Sequence, residues 1–127
     1  MNLRKEINKK GFFLIAEIGN NHGGNINKAK KMIVAAHNAG ADAVKLQHIT
    51  PEKFIHKGQS KRMKQLKRIC LSKNQILNLY SFAKKKNIEI FSSIFNFDEL
   101  EEFFNKQKYF KIASGDNNIE KLYKIIS

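Results

Sequence analysis

Short apolar segments alternate with stretches of helical periodicity along most of the chain. A segment covered on both faces tolerates continuous hydrophobicity, so these segments are typical of buried strands. Repeated alternation of such strands with helices is typical of a parallel sheet. The sequence therefore predicts an α/β fold with four strand–helix units, whose strands are Phe12–Ile18, Ala43–Gln47, Ile88–Ser92 and Tyr109–Ala113.

Helix signals lie between these strands. An apolar stripe predicts a helix near Asn27–Ala39. Ser72 and Gln75 form a capping-box pattern ahead of a second apolar stripe, and Asn96 with Glu99 gives another start signal. No Pro-rich linker or low-complexity tract divides the chain, so we expect one domain or part of one.

Composition narrows the class of protein. The 127 residues are 42% hydrophobic, which is enough for a globular core. The single cysteine, Cys70, excludes an internal disulfide and fits a reducing compartment, and its apolar neighbours predict a packed side chain. Glu17 interrupts the N-terminal apolar run, and no run approaches the roughly 18 residues of a membrane span. We expect a cytoplasmic protein without membrane contact.

The net charge of +13 raises the question of nucleic acid binding. The excess is almost all Lys, whereas Arg is favoured for bidentate phosphate and base contacts. Abundant Asn, Ile and Phe beside Lys indicate a coding bias. The basic cluster Lys57–Arg68 is open to two interpretations, a solvated helix face or an RNA or DNA contact. The first is favoured, because nucleic acid binding explains none of the polar residues described next.

Each predicted strand delivers polar residues at its carboxyl end. In a (β/α)₈ barrel the carboxyl ends of the strands build the active site. The sequence therefore predicts a site at this end of the sheet, formed from Glu17, Lys45, Gln47, Ser92, Ser93, Lys111, Ser114 and Asp116.

Two lysines lie inside apolar strands. Lys45 is flanked by "AV" and "L", and Lys111 by "F" and "IA". Burying an unpaired ammonium group is prohibitive, so each lysine needs an anionic partner or loses its charge. Core salt bridges, with Glu17 and Asp116 as partners, would satisfy them, and so would an anionic ligand. The matching positions in separate units favour the ligand.

Three segments carry a family resemblance: "IAEIGNNHGGNINKAKKMIVAAHNAGADAVKLQ", "EIFSSIFNFDELEEF" and "KIASGDNNIEKL". From about Phe13 onward the sequence resembles the sialic acid synthase family, which makes N-acetylneuraminate and related nonulosonic acids. The resemblance implies a TIM (β/α)₈ barrel that condenses phosphoenolpyruvate with N-acetylmannosamine or a related N-acyl amino-hexose. Carbon 3 of phosphoenolpyruvate attacks the open-chain aldehyde, water adds at carbon 2, and phosphate leaves. A divalent metal, Mn²⁺ or Mg²⁺, assists.

The resemblance also implies roles for single residues. The expected phosphoenolpyruvate contacts are Lys45, Ser93, Lys111 and Ser114. Glu17 and Gln47 are expected on the sugar side. Asp116 stands where the family usually has Glu, which serves the sugar hydroxyls and proton handling, so Glu17 and Asp116 are the catalytic candidates. His22, in the "NNH" loop, is a candidate substrate contact, although packing of the loop would also explain it.

Some features depart from the family pattern. The loop reads "NHGG" where "NHNG" is usual, Ser93-Ile94 replaces a Thr-Pro pair, and His48 stands where Thr is common. A TIM barrel needs roughly 250 residues. We therefore expect residues 1–127 to supply about four βα units, a half-barrel without the later half and the antifreeze-like domain.

The expected half-barrel leaves the function open. The family's metal-ligand histidines come from later strands, so no metal ligand is predicted among the four histidines of this chain. One hypothesis is an enzyme that works as a homo-oligomer or joined to a C-terminal half. The other is a non-catalytic relic or a phosphoenolpyruvate-binding half-barrel.

Overall fold

A parallel three-stranded sheet lies at the centre of the computed structural model, which describes residues 3–56, 58–116 and 118–126. The strand order is β1-β2-β3, with bounds Ile15–Gly19, Ala43–His48 and Glu89–Ile94. In the register, Lys45 pairs with Glu17 on one side and with Phe91 on the other, and Gln47 pairs with Ser93. This register sets side chains from all three strands side by side, because alternate residues of a strand share a face.

Helices follow the strands in the predicted α/β pattern. Their bounds are α1 Leu3–Lys10, α2 Ile26–Asn38, α3 Pro51–Phe54, α4 Ser60–Ile69, α5 Lys73–Lys85, α6 Phe97–Phe104 and α7 Glu120–Ile126, with a 3₁₀ turn at Ser114–Asp116. Both bonds of the predicted capping box between Ser72 and Gln75 are present at the start of α5. Asn96 precedes α6 as predicted, but its side chain makes no cap bond. Most of the basic cluster forms α4, a largely exposed helix in which Leu66 is buried. Lys57, the first residue of the cluster, lies outside the described residues.

The core fills the space between the sheet and α2, α5 and α6. Fully buried members include Ile33, Leu46, Ile76, Leu79 and Phe103. The strand residues of this cluster alternate with those of the opposite face, which carries Glu17, Lys45, Gln47, Phe91 and Ser93. Helices α2, α5 and α6 therefore cover one face, and the polar strand-end residues occupy the other. Among the described helices, none is long and apolar enough to cross a membrane.

The prediction of a fourth strand at Tyr109–Ala113 is wrong for this structure. Within the described residues, no backbone hydrogen bond joins this segment to β3. The side chain of Gln107 occupies the edge of β3 instead, where its amide bonds both backbone groups of Ser92. The parallel α/β class is confirmed, and the described residues form three strands instead of the four predicted.

Candidate functional site

An ion pair between neighbouring strands forms the centre of the candidate site. Lys45 Nζ lies 2.7 Å from Glu17 Oε2. The Lys45 side chain is only 10% exposed, whereas that of Glu17 is 54% exposed. The buried lysine therefore has the anionic partner that burial demands, and this partner is itself accessible to solvent.

The loop after β1 brings a second polar pair beside the first. Asn20 Nδ2 donates a hydrogen bond to Gln47 Oε1 over 3.2 Å. Gly19 has a φ of +54°, and a Cβ placed there would lie 3.3 Å from Glu17 Oε1 and 3.8 Å from Gln47 Oε1. Glycine at this position thus permits the left-handed turn and the close approach of both side chains. Ser93, buried on β3, lies next to Gln47 in the register.

His22 is buried inside the same loop. Its Nδ1 accepts a hydrogen bond from the Gly24 backbone N–H at 3.1 Å, so in the neutral ring the proton is on Nε2. Burial, with a smaller contribution from Lys28, lowers the pKa of His22. Among the described residues, neither His22 Nε2 nor Asn20 Oδ1 has a hydrogen-bond partner. His22 therefore shapes the loop through the bond that its Nδ1 accepts from Gly24.

The second half of the predicted site lies apart from this group. The predicted burial of Lys111 is wrong: its segment is not paired as a strand among the described residues, so the side chain is exposed and its ammonium group donates to the carbonyl oxygen of Ile112. Ser114 is exposed and Asp116 half-buried in the 3₁₀ turn. In the described parts of the chain, no hydrogen bond or ion pair connects these residues to the strand-end group, which consists of Glu17, Asn20, Lys45, Gln47 and Ser93. The structure thus brings together Glu17, Lys45, Gln47 and Ser93 of the first three strand ends. Ser92 does not join them, because its side chain lies on the helix-facing side of β3, where its hydroxyl bonds that of Tyr80.

A buried polar network that sequence reasoning missed lies on the helix-facing side of β2. His48 Nε2 is 2.8 Å from Glu99 Oε2, and Thr50 Oγ1 and Asn96 Nδ2 also donate to this carboxylate. Burial lowers the pKa of His48 despite the opposing effect of Glu99. Glu99 had been interpreted only as a cap signal. The apolar setting of His48, immediately after "KLQ", was the one signal that a buried partner was needed.

The donor chemistry of the described residues does not fit a metal centre. No group of three or more His, Cys, Asp and Glu side chains among them could hold an ion. The strand-end group instead offers a cation, two amides and a hydroxyl, with one carboxylate that solvent can reach. Such a group suits an oxygen-rich anionic ligand, since charge-assisted bonds from ammonium groups are among the strongest that proteins make to carboxylates and phosphates.

Comparison with known proteins decides the family. A family model described as the NeuB family matches residues 32–127. The chain belongs to the NeuB family. The resemblance predicted from the sequence is thereby confirmed.

Named relatives agree with this placement in the NeuB family. The N,N'-diacetyllegionaminic acid synthase of Campylobacter jejuni is 34% identical over 91% of this chain and 39% of its own length. The N-acetylneuraminate-9-phosphate synthase of Mus musculus is 36% identical over 84% of this chain and 33% of its own length. The crystal structure of the N-acetylneuraminic acid synthetase of Leptospira borgpetersenii superimposes with a TM-score of 0.74 at 34% identity, covering 82% of this chain and 36% of that one. The chain thus spans 33–39% of the length of these proteins.

Proposed function

We propose that this NeuB-family chain contributes the first three strand ends of a synthase site that condenses phosphoenolpyruvate with N-acetylmannosamine or a related N-acyl amino-hexose. The observation that carries the proposal is the buried Lys45, held at the strand ends by the accessible carboxylate of Glu17. The names of the relatives, synthases of nonulosonic acids, support the same reaction class. These relatives make different products, so we propose the class of sugar, an N-acyl amino-hexose, and not one particular sugar.

Lys45 is assigned to the anionic substrate. Its ammonium group is poorly solvated, so a phosphate or carboxylate oxygen that approaches it displaces less water than at an exposed lysine. Glu17 neutralises Lys45 in the absence of ligand, and its exposed carboxylate can turn to a sugar hydroxyl when the anion takes its place. Ser93 and Gln47 orient the two substrates through a hydroxyl and an amide.

Lys111, Ser114 and Asp116 complete the site in this proposal. Lys111 and Ser114 add charge and a hydroxyl for phosphoenolpyruvate, and Asp116 handles protons near the sugar. Asp is one methylene shorter than the Glu usual in the resemblance, and a displacement of about an ångström can cost on the order of a hundredfold in rate. A metal would polarise the aldehyde, but because no described cluster fits one, no step is assigned to a metal held by these residues.

The proposal is tested by titrating phosphoenolpyruvate into the chain and into Lys45→Met by calorimetry. Methionine keeps the length and apolar packing of Lys45 and removes its charge. A charge-assisted contact contributes about 1.5–3 kcal/mol, so the affinity should fall roughly ten- to a hundredfold. Lys64→Met, on the exposed face of α4, is the matched control and should bind like the parent. Equal affinities of the parent and Lys45→Met would refute the assignment.

A second candidate function, binding of phosphoenolpyruvate without turnover, is favoured by one observation. Lys111, Ser114 and Asp116 stand apart from the strand-end group. We therefore expect the 127-residue chain alone to release no phosphate from phosphoenolpyruvate and N-acetylmannosamine in the presence of Mn²⁺. Release above a control without protein would reject this candidate and favour the enzyme.

A further inference from the structure

The side chain of Gln107 occupies a place at the edge of β3 that a neighbouring strand would occupy. Ser92 N donates to Gln107 Oε1 at 2.9 Å, and Gln107 Nε2 donates to Ser92 O at 3.3 Å. A primary amide offers the same donor and acceptor as a peptide group, so it satisfies both backbone groups of Ser92. At this one residue the edge strand is closed by a side chain.

Tyr80 holds the Gln107 amide in place from the helix side. Its hydroxyl lies 2.6 Å from Gln107 Oε1 and 2.8 Å from Ser92 Oγ. Gln107 is 6% exposed, and Tyr80 packs edge-on against the Phe103 ring. The amide therefore belongs to a buried network, and its loss would leave the backbone groups of Ser92 unsatisfied.

The rest of the β3 edge faces an open groove. The backbone groups of Ser92 point away from β2, and those of Ile90, two residues earlier, point the same way. A groove of about 760 Å³ runs beside this edge and is lined by Leu77, Ile88, Ile90 and Phe104, among others. An unpaired, apolar strand edge of this kind is a template for another strand.

The segment Tyr109–Ala113 lies next to this edge without pairing to it. Tyr109 packs edge-on against Phe91 of β3, and the preceding Lys108 pairs with Glu89 at the start of β3. The segment has the composition of a strand, "YFKIA". It is therefore tethered beside the edge of β3, which it could join as a further strand.

We propose that Gln107 is a conformational lock that keeps Tyr109–Ala113 off the edge of β3. With the lock closed, the amide satisfies Ser92 and the segment stays unpaired. With the lock open, the segment pairs with β3 as a fourth parallel strand, and its backbone takes over the bonds of Ser92. Pairing carries Lys111 and Ser114 to the same end of the sheet as Lys45 and Ser93. The last step, which concerns the ligand, rests on the proposed function.

An anionic ligand biases this equilibrium if the proposed function holds. Only the paired state sets the ammonium groups of Lys45 and Lys111 at one end of the sheet. A ligand that binds one of two states more tightly shifts the population toward that state. Phosphoenolpyruvate should therefore favour the open lock. Binding of the ligand and pairing of Tyr109–Ala113 with β3 would then promote each other.

Hydrogen exchange without any ligand tests the lock itself. In Gln107→Leu the side chain keeps its bulk but offers no hydrogen bond, so the backbone N–H and C=O of Ser92 would be buried without partners unless another strand supplies them. We expect the segment to pair instead, so protection at the amides of residues 110–112 should rise about tenfold or more while Ser92 stays protected. Gln65→Leu, on exposed α4, is the matched control and should exchange like the parent.

The opposite pattern would overturn the lock. If the Ser92 amide loses protection and the amides of residues 110–112 stay unprotected, Gln107 satisfies the backbone of Ser92 but does not keep the segment from pairing. Should Gln107→Leu fail to fold, Tyr80→Phe removes one partner of the amide, keeps the ring packing on Phe103, and is judged by the same two signals. Calorimetry with phosphoenolpyruvate is a separate measurement. A variant that pairs the segment without binding phosphoenolpyruvate keeps the lock and rejects the proposed function.

Discussion

Lys45 and Glu17 form an ion pair in which the lysine is buried and the carboxylate is half in solvent, with 2.7 Å between Nζ and Oε2. This asymmetry explains how a lysine is accommodated in the apolar strand β2. The two residues also differ in how much they need each other. The buried ammonium group of Lys45 needs the negative charge of Glu17, whereas water can solvate the carboxylate of Glu17 without Lys45. A ligand that replaces Glu17 can supply the same negative charge.

The two halves of this pair should differ in their effect on stability. Glu17→Gln leaves the buried ammonium of Lys45 without an ion partner and should lower the free energy of unfolding by about 1–3 kcal/mol. Lys45→Met leaves a carboxylate that water can solvate, so its cost should stay below about 1 kcal/mol. Urea unfolding at pH 7.5 measures both, with Glu101→Gln on the exposed face of α6 as control. Equal losses in the two variants would contradict the asymmetry.

Two adjacent glycines of the β1–α2 loop should respond differently to alanine. A Cβ on Gly24, at φ +80°, would lie 2.3 Å from the carbonyl oxygen of Arg68, a backbone atom that cannot move aside cheaply. A Cβ on Gly23, at φ +59°, meets nothing within 4 Å. Gly23→Ala should cost about 1–2 kcal/mol through its backbone alone, and Gly24→Ala clearly more. Urea unfolding compares them, and similar losses would show that Arg68 does not constrain the loop.

Much of the sheet could be predicted from the sequence, because continuous apolar runs and helix caps are local signals. β2 and β3 begin at or next to the predicted residues, and the capping box at Ser72 forms as expected. β1 begins at Ile15 and not at Phe12, and the predicted burial of this run is wrong, because β1 lies at the edge of the sheet with Phe12, Leu14 and Ile15 exposed. The run Tyr109–Ala113 has the same local pattern but remains unpaired. Its state depends on competition with the Gln107 side chain for Ser92, a contact between residues that no local pattern records.

In the candidate site, too, local sequence patterns predicted some neighbours, whereas contacts between distant residues were not predictable. Polar residues at strand ends predicted Glu17, Lys45, Gln47 and Ser93 as neighbours, and the parallel register places them so. The pairing of Lys45 with Glu17 was foreseen only as one of two alternatives. The partnership of His48 with Glu99 spans two layers of the fold, so sequence spacing did not indicate it.

The free edge of β1 should promote association. Phe12, Leu14 and Ile15 are all more than 40% exposed beside this edge. An exposed, apolar edge invites pairing with another chain, and a charge placed on it opposes pairing. We expect the chain to associate with increasing concentration in sedimentation velocity, and Leu14→Lys to reduce that association. Lys61→Leu on α4 controls for a general change in hydrophobicity. A compact monomer throughout the micromolar range would contradict this expectation.

The buried network around Glu99 should make stability depend on pH. Burial raises the pKa of Glu99, but hydrogen bonds from Asn96 and Thr50 and the nearby His48 outweigh it, so its pKa lies below the usual 4.5. Burial, the largest influence, lowers the pKa of His48 below 6.5. A group with a lowered pKa in the folded state stabilises the fold above its unfolded pKa, and this contribution is lost as the pH falls. Both groups therefore act in the same direction.

We expect the free energy of unfolding to fall as the pH is lowered from 7.5 through 6.5 to 5.5, because the unfolded chain binds a proton that buried His48 resists. His48→Gln keeps a donor for Glu99 and removes the titrating ring, so the fall should become shallower. His22, whose pKa is also lowered by burial, contributes in the same window, and His22→Gln measures its share. His37→Gln removes an exposed ring and is the matched control.

Urea unfolding at the three pH values gives the dependence of the free energy of unfolding on pH for each variant. An unchanged slope in His48→Gln would show that the His48–Glu99 contact does not govern the acid sensitivity of the fold.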